Sequence, residues 1–156
     1  MRDKISERRI DLLHPMARGV FKDFIEECER TKNITLRITE GLRTWEEQAK
    51  IYAQGRTTPG KIVSYAPPGK SWHNYGLAID IALLDEGKLK WDLDYKSLEN
   101  ISLAHGLTWG GNFVVKGKPF PDYPHYQITF GKRINEMLTL YASGKFIEQT
   151  KYVDIA

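Results

Sequence analysis

The chain is 156 residues long, which favours one domain around a single core. Its 41% hydrophobic and 28% charged residues are ordinary for a soluble globular protein, and no apolar run approaches the roughly 18–20 residues needed to span a bilayer. The net charge of +3 is scattered, without the basic block or interleaved aromatics of a nucleic-acid module, and the lone cysteine excludes both an internal disulfide and a thiolate zinc cage.

The N-terminus, M-R-D-K-I-S-E-R-R-I-D, is charged throughout, has no h-region of a Sec leader, and reads as irregular. His14-Pro15 opens a helix, because proline suits the first helical turn. Ala17, Val20, Phe21, Phe24, Ile25 and Cys28 recur at helical spacing, with Lys22, Asp23, Glu26, Glu27 and Glu29 opposite. That is an amphipathic helix of about four turns ending near Asn33, with Cys28 a buried small hydrophobe rather than a reactive thiol. Ile34, Leu36 and Ile38 then alternate with Thr35, Arg37 and Thr39 in a short strand.

Thr44 and Glu47 form a capping-box pattern for a second helix, which Gly55 stops. Trp45, Ala49, Tyr52 and Ala53 share its inner face. Residues 56–72 carry the breakers Pro59-Gly60 and Pro67-Pro68-Gly69. A loop this long is either functional or mobile, and its place before His73 makes it one wall of a cleft. Ser71 is positioned to hydrogen-bond a ligand or to stabilise a turn.

From Gly76 the side chains sort by parity: Leu77, Ile79, Ile81 and Leu83 are large and apolar, while Ala78, Asp80 and Ala82 are small or charged. This is a strand with one face in the core. Alone, Asp80 reads as a solvent-facing strand residue, but its two alanine neighbours leave room above it. Asp85 to Lys88 turns a hairpin, and Leu98, Ile101 and Ala104 mark a third helix closed by His105-Gly106. His105, in a last helical turn, and His14, before a helix-starting proline, read as structural. Trp109-Gly110-Gly111 suggests a turn or bulge, with Trp109 under the cleft or simply buried. P-D-Y-P-H-Y-Q at 121–127 adds a second carboxylate and imidazole ahead of another alternating run, in which His125, Gln127 and Thr129 share one parity. Ile134, Met137, Leu138 and Tyr141 make a short amphipathic helix, and 145–156 is weakly patterned.

Two imidazoles and a carboxylate from separate segments, His73, Asp80 and His125, are a catalytic-zinc ligand set with a fourth position for water. Unlike a helical H-E-x-x-H, they meet only through tertiary folding. The motif S-x-H-x-x-G-x-A-x-D followed by D-x-x-H resembles the zinc D,D-carboxypeptidase and L-alanyl-D-glutamate endopeptidase metallopeptidases of bacterial cell-wall metabolism. The likeness is greatest to the L,D-endopeptidases of phage endolysins and bacillary autolysins. It runs from about His14 to Gln127 through I-T-E-G-L-R-T, Y-A-Q-G-R, S-W-H-N-Y-G-L-A-I-D and W-G-G.

The resemblance implies that His73, Asp80 and His125 hold Zn²⁺ and that Asp122 is the general base. It assigns Arg43 to substrate and oxyanion, and gives Gln48, Ser71 and Trp109 as further substrate contacts. The expected architecture is α+β, a single domain over 1–156 with its core at about 14–130 and a helical tail at 131–156. A central antiparallel sheet flanked by helices carries the zinc site on its face. The implied partner is a peptidoglycan stem peptide cut between L-Ala and D-Glu by a monomer without nucleic acid or membrane anchor. The alternatives are a D-Ala-D-Ala carboxypeptidase of the same fold and a non-catalytic zinc-stabilised binding module. The missing leader suits a phage or prophage lysin, made in the cytoplasm and released to the wall by a holin-type partner that opens the membrane.

Overall fold

The computed structural model describes all residues 1–156. In chain order it contains α1 (Lys4–Asp11), α2 (Arg18–Lys32), β1 (Leu36–Glu40), α3 (Trp45–Ala53), β2 (Ala78–Asp85), β3 (Lys88–Lys90), α4 (Glu99–Ala104), β4 (Thr108–Trp109), β5 (Val114–Val115), β6 (Lys118–Pro119), β7 (His125–Gln127) and α5 (Ile134–Ala142). β1, β2, β7 and β4 lie side by side in an antiparallel sheet, and β3 folds back onto β2 as its fifth strand. The α+β class with an antiparallel sheet is as expected.

The parity of β2 sets the architecture. Leu77, Ile79 and Ile81 are fully buried and meet Phe21, Phe24, Ile25 and Cys28 of α2 in one core cluster. The opposite parity brings Asp80 to the other face. There β7 crosses with Asp80 directly opposite His125 and Ala78 opposite Gln127. Directly opposed residues of an antiparallel pair hold their Cβ atoms roughly 4.5–5.5 Å apart, so sheet register alone delivers two of the proposed ligands together. No helix is long and apolar enough to cross a membrane.

The N-terminal segment is helical rather than irregular. Asp3 caps α1 by accepting the Ser6 amide at 3.2 Å, and Ser6 and Ile10 face inward one helical turn apart. α2 begins at Arg18 and not at Pro15, because residues 15–17 form a turn in which the Met16 amide donates to His14 Nδ1 at 3.1 Å. Its end at Asn33, in the left-handed region at φ +52°, is as expected. Glu29 departs from the polar face assigned to it. It is buried, and its carboxylate accepts the Leu36 amide at 3.0 Å and the Arg2 amide at 3.2 Å, fastening the start of β1 to α2. Burial pushes the Cys28 thiol up to about 12, so it stays protonated and inert.

The C-terminal segment is no loose tail. Val153 and Ile155 enter the core, Phe146 bridges Val153, and Tyr152 Oη donates to the Leu12 carbonyl at 2.6 Å. Its apolar residues were too sparse for periodicity to reveal this.

Candidate active site

The 56–72 loop, the segment from Phe113 to Phe120 and the open face of the sheet enclose a cleft of about 800 Å³. The loop is held rather than mobile. Gln48 Nε2 donates to the Ala66 carbonyl at 2.7 Å and to Ser64 Oγ at 3.2 Å, and Arg56 Nη1 donates to the Tyr52 and Ser64 carbonyls. The two walls touch where Tyr65 meets Phe120 edge to face, with ring centroids 4.9 Å apart.

On the cleft floor His73, Asp80 and His125 converge, each offering a ligand atom within 4.8 Å of the others. Asp80 Oδ1 lies 3.2 Å from His73 Nε2 and 3.2 Å from His125 Nδ1, and the two imidazole nitrogens are themselves 3.2 Å apart. The outer ring nitrogens set the protonation. His73 Nδ1 is 2.9 Å from the Gly41 carbonyl and His125 Nε2 is 2.8 Å from Gln127 Oε1, so both outer nitrogens donate. Neutral rings therefore aim two lone pairs and a carboxylate oxygen at one point. Without a cation there, three acceptors would face one another, so the donor set fits a divalent metal.

Local sequence builds each position. Ser71 starts the 3₁₀ turn Trp72–Tyr75, its hydroxyl accepting the His73 amide at 3.3 Å while Asn74 closes the reciprocal cap. Gly76 ends that turn at φ +70°, where an added Cβ would lie 2.5 Å from the His14 amide nitrogen. Asp122 rests on the W-G-G turn. Its amide donates to the Gly110 carbonyl at 2.8 Å, and a Cβ on Gly110 would sit 2.4 Å from the Asp122 carbonyl oxygen. Only glycine permits that approach, which brings Asp122 Oδ2 to 3.8 Å from His125 Nδ1.

Electrostatics separate the two carboxylates. Burial would raise Asp80, but in the metal-free protein its pairing with His125 and His73 outweighs this and holds the group well below the usual carboxylate range. Asp122 moves up: the protein packed around it and the neighbouring Asp80 outweigh the pull of His125, although half of its side chain remains open to the cleft. Burial would lower His125, yet Asp80 and Asp122 raise it.

Other expected contacts lie differently. Arg43 reaches the cleft, held by Glu40 Oε1 at 3.1 Å from Nε and by Gln48 Oε1 at 3.0 Å from Nη1. Gln48 is fully buried and absent from the cleft lining, so it positions Arg43 and the loop and does not meet a ligand. It also replaces the exposed Ala49 on the inner face of α3. Ser71 lines the cleft, and its hydroxyl accepts the His73 amide in the turn, which leaves its O–H to donate. Trp109 is buried on the far side, where its indole N–H donates to the Tyr123 carbonyl at 2.7 Å, so it supports the 121–125 segment from outside the cleft. His14 and His105 lie outside the cluster, the latter 3.6 Å from Glu27.

Gln127 was missed as a partner of His125, although shared parity two residues apart could have found it. The Gly41 carbonyl has no sequence signal.

The family described as VanY, D-alanyl-D-alanine carboxypeptidase, matches residues 11–109, which include His73 and Asp80 and stop short of Asp122 and His125. The chain belongs to the VanY family. This VanY-family peptidase is 40% identical over 127 residues to the peptidoglycan L-alanyl-D-glutamate endopeptidase CwlK of Bacillus subtilis, covering 74% of this chain and 73% of that one. Its fold is similar to that of the Serratia marcescens L-Ala D-Glu endopeptidase ChiX, with a TM-score of 0.57 and 23% identity over 81% of this chain and 88% of that one. A vancomycin-resistance D,D-pentapeptidase VanY, solved in complex with Zn(II), matches with a TM-score of 0.57 and 20% identity over 85% of this chain and 79% of that one.

Proposed function

We propose that the chain is a zinc-dependent endopeptidase that cuts the L-Ala–D-Glu bond of peptidoglycan stem peptides. The observation that carries the reading is the meeting of His73 Nε2, His125 Nδ1 and Asp80 Oδ1 on a cleft floor, with a second carboxylate, Asp122, beside them. Three nitrogen and oxygen ligands leave one position open, as in catalytic rather than structural zinc sites. Zinc bound there would supply Lewis-acid charge and lower the pKa of water toward neutrality.

The chain's own groups do the rest. Asp122 takes a proton from the attacking water and returns it to the leaving amine, and its raised pKa makes it a better base than an ordinary carboxylate. Arg43, pinned by Glu40 and Gln48, presents fixed positive charge where the carbonyl oxygen becomes an oxyanion. A binding module has no use for an uncoordinated carboxylate at this distance from the cluster.

The choice of bond follows the likeness to the Bacillus subtilis endopeptidase. A cleft of about 800 Å³ also suits several residues of a peptide better than a terminal dipeptide. Terminal D-Ala removal is the second reading, favoured by the description of the family. Mass spectrometry of peptidoglycan digested by zinc-loaded protein separates them. New peptides beginning with D-Glu, absent after chelation, are expected; free D-Ala as the only product would move the chain to the carboxypeptidase reading.

A further inference from the structure

The bond assigned above has an unusual leaving group. D-Glu is joined onward through its γ-carboxyl, so the carbon that bears the leaving nitrogen also bears a free α-carboxylate. Asp122 opens onto the same cleft, and a substrate carboxylate without a cationic partner there would be repelled. The cleft must therefore supply positive charge in addition to any that serves the oxyanion.

Two side-chain cations line it, Arg43 and Lys70. Arg43 is already committed to the Glu40 carboxylate at 3.1 Å. Lys70 is not: its ammonium donates to Asn135 Oδ1 on the first turn of α5, a neutral partner, and it belongs to no ion pair. An ammonium has three donors, so the charge and two donors remain for a ligand.

The backbone beneath Lys70 is fixed. Its own amide donates to the Pro67 carbonyl at 2.9 Å, and the amides on either side, Gly69 and Ser71, both donate to Asn74 Oδ1, at 3.0 and 3.3 Å. Tyr75 Oη closes the turn on the Gly69 carbonyl at 2.6 Å. A Cβ on Gly69, which sits at φ +82°, would lie 2.7 Å from the Trp45 ring and 2.9 Å from Leu138 Cδ1. Glycine thus lets the turn settle between α3 and α5, three residues before the ligand His73.

We propose that Lys70 is a specificity-determining residue that pairs with the α-carboxylate of the leaving D-residue. The chain accordingly selects stem peptides whose D-Glu carries a free α-carboxylate over those in which that group is a carboxamide. This rests on the endopeptidase reading, and the carboxamide is the natural probe because it keeps the shape and removes the charge.

The test is kcat/KM of the zinc-loaded enzyme on two soluble stem peptides that differ only in this group. The wild type is expected to prefer the carboxylate by roughly ten- to a hundred-fold, the range of a charge-assisted hydrogen bond. Lys70→Met brings the ratio close to one, and Lys70→Arg retains most of it. Because the ratio is taken within one sample, a partly unfolded variant lowers both rates and leaves it unchanged. Equal cleavage by the wild type, or full preference in Lys70→Met, overturns the assignment alone. Cleavage of neither peptide by the wild type overturns the endopeptidase reading and the assignment together.

Discussion

His14, beneath the C-terminal segment, and His73, on the cleft floor, are buried to nearly the same degree, at 0% and 3% exposed. They differ in where their second ring nitrogen goes. His14 spends both: Nδ1 accepts the Met16 amide, and Nε2 donates to the Val153 carbonyl at 2.7 Å, so nothing is left to bind a ligand. His73 spends only Nδ1, on the Gly41 carbonyl, and turns the Nε2 lone pair toward Asp80 and His125. Burial therefore does not mark a functional histidine here. An imidazole fixed by one hydrogen bond, with its free lone pair aimed at other acceptors, does.

The comparison breaks most decisively if the cleft cluster tolerates truncation. His73→Ala or His125→Ala should abolish both zinc binding and turnover, read as metal stoichiometry and as peptide release; a metal-replete, active variant of either would remove the ligand assignment. Asp122→Ala should keep the metal and lose about 10²–10⁴-fold in kcat, the contribution of a positioned base. Loss of zinc in that variant would instead place Asp122 among the ligands.

Much of this site is legible in the chain because strands alternate. Parity puts Asp80 opposite in face to Ile79 and Ile81, and puts His125 and Gln127 on one face, so each half of the cluster can be read from its own segment. Parity cannot say that Asp80 lies across from His125, since register between strands about 45 residues apart is settled by packing. Gln48 shows a second limit. Helical spacing places it beside Trp45 and Tyr52, yet an apolar pattern has no place for a buried amide, and its role depends on a loop hydroxyl and a loop carbonyl that come 16 and 18 residues later. α1 was hidden for a related reason: K-I-S-E-R-R-I-D buries a serine against β1, where Ser6 Oγ accepts the Ile38 amide at 2.8 Å, and so lacks an apolar stripe.

A smaller effect tests the other ring nitrogen. Gln127→Leu leaves all three ligands in place but removes the acceptor that holds the His125 Nε2 proton. Zinc affinity should fall by about 10–100-fold, measured by competition with a chelator, and saturating zinc should restore most of the turnover. An unchanged affinity would mean that packing alone, such as Phe113 with its ring centroid 5.4 Å from that of His125, orients the imidazole.

The smallest effect belongs to His14. Burial lowers its pKa below the ordinary 6.5, and the Val153 carbonyl only partly offsets this. The unfolded chain therefore binds a proton at His14 more readily than the folded one. Its contribution to stability is complete above about pH 6.5 and is lost as the pH falls toward the lower folded value, where a proton on Nδ1 would displace the Met16 amide. His14→Gln removes the titration. The variant should be less stable than the wild type at pH 8, and the gap should narrow below pH 6 by no more than ~2–4 °C in Tm. The metal-free protein is the sample to use, so that pH-dependent loss of the metal does not enter the comparison. A gap that widens on acidification would show that His14 is held as the imidazolium, which would erase its contrast with the cleft pair.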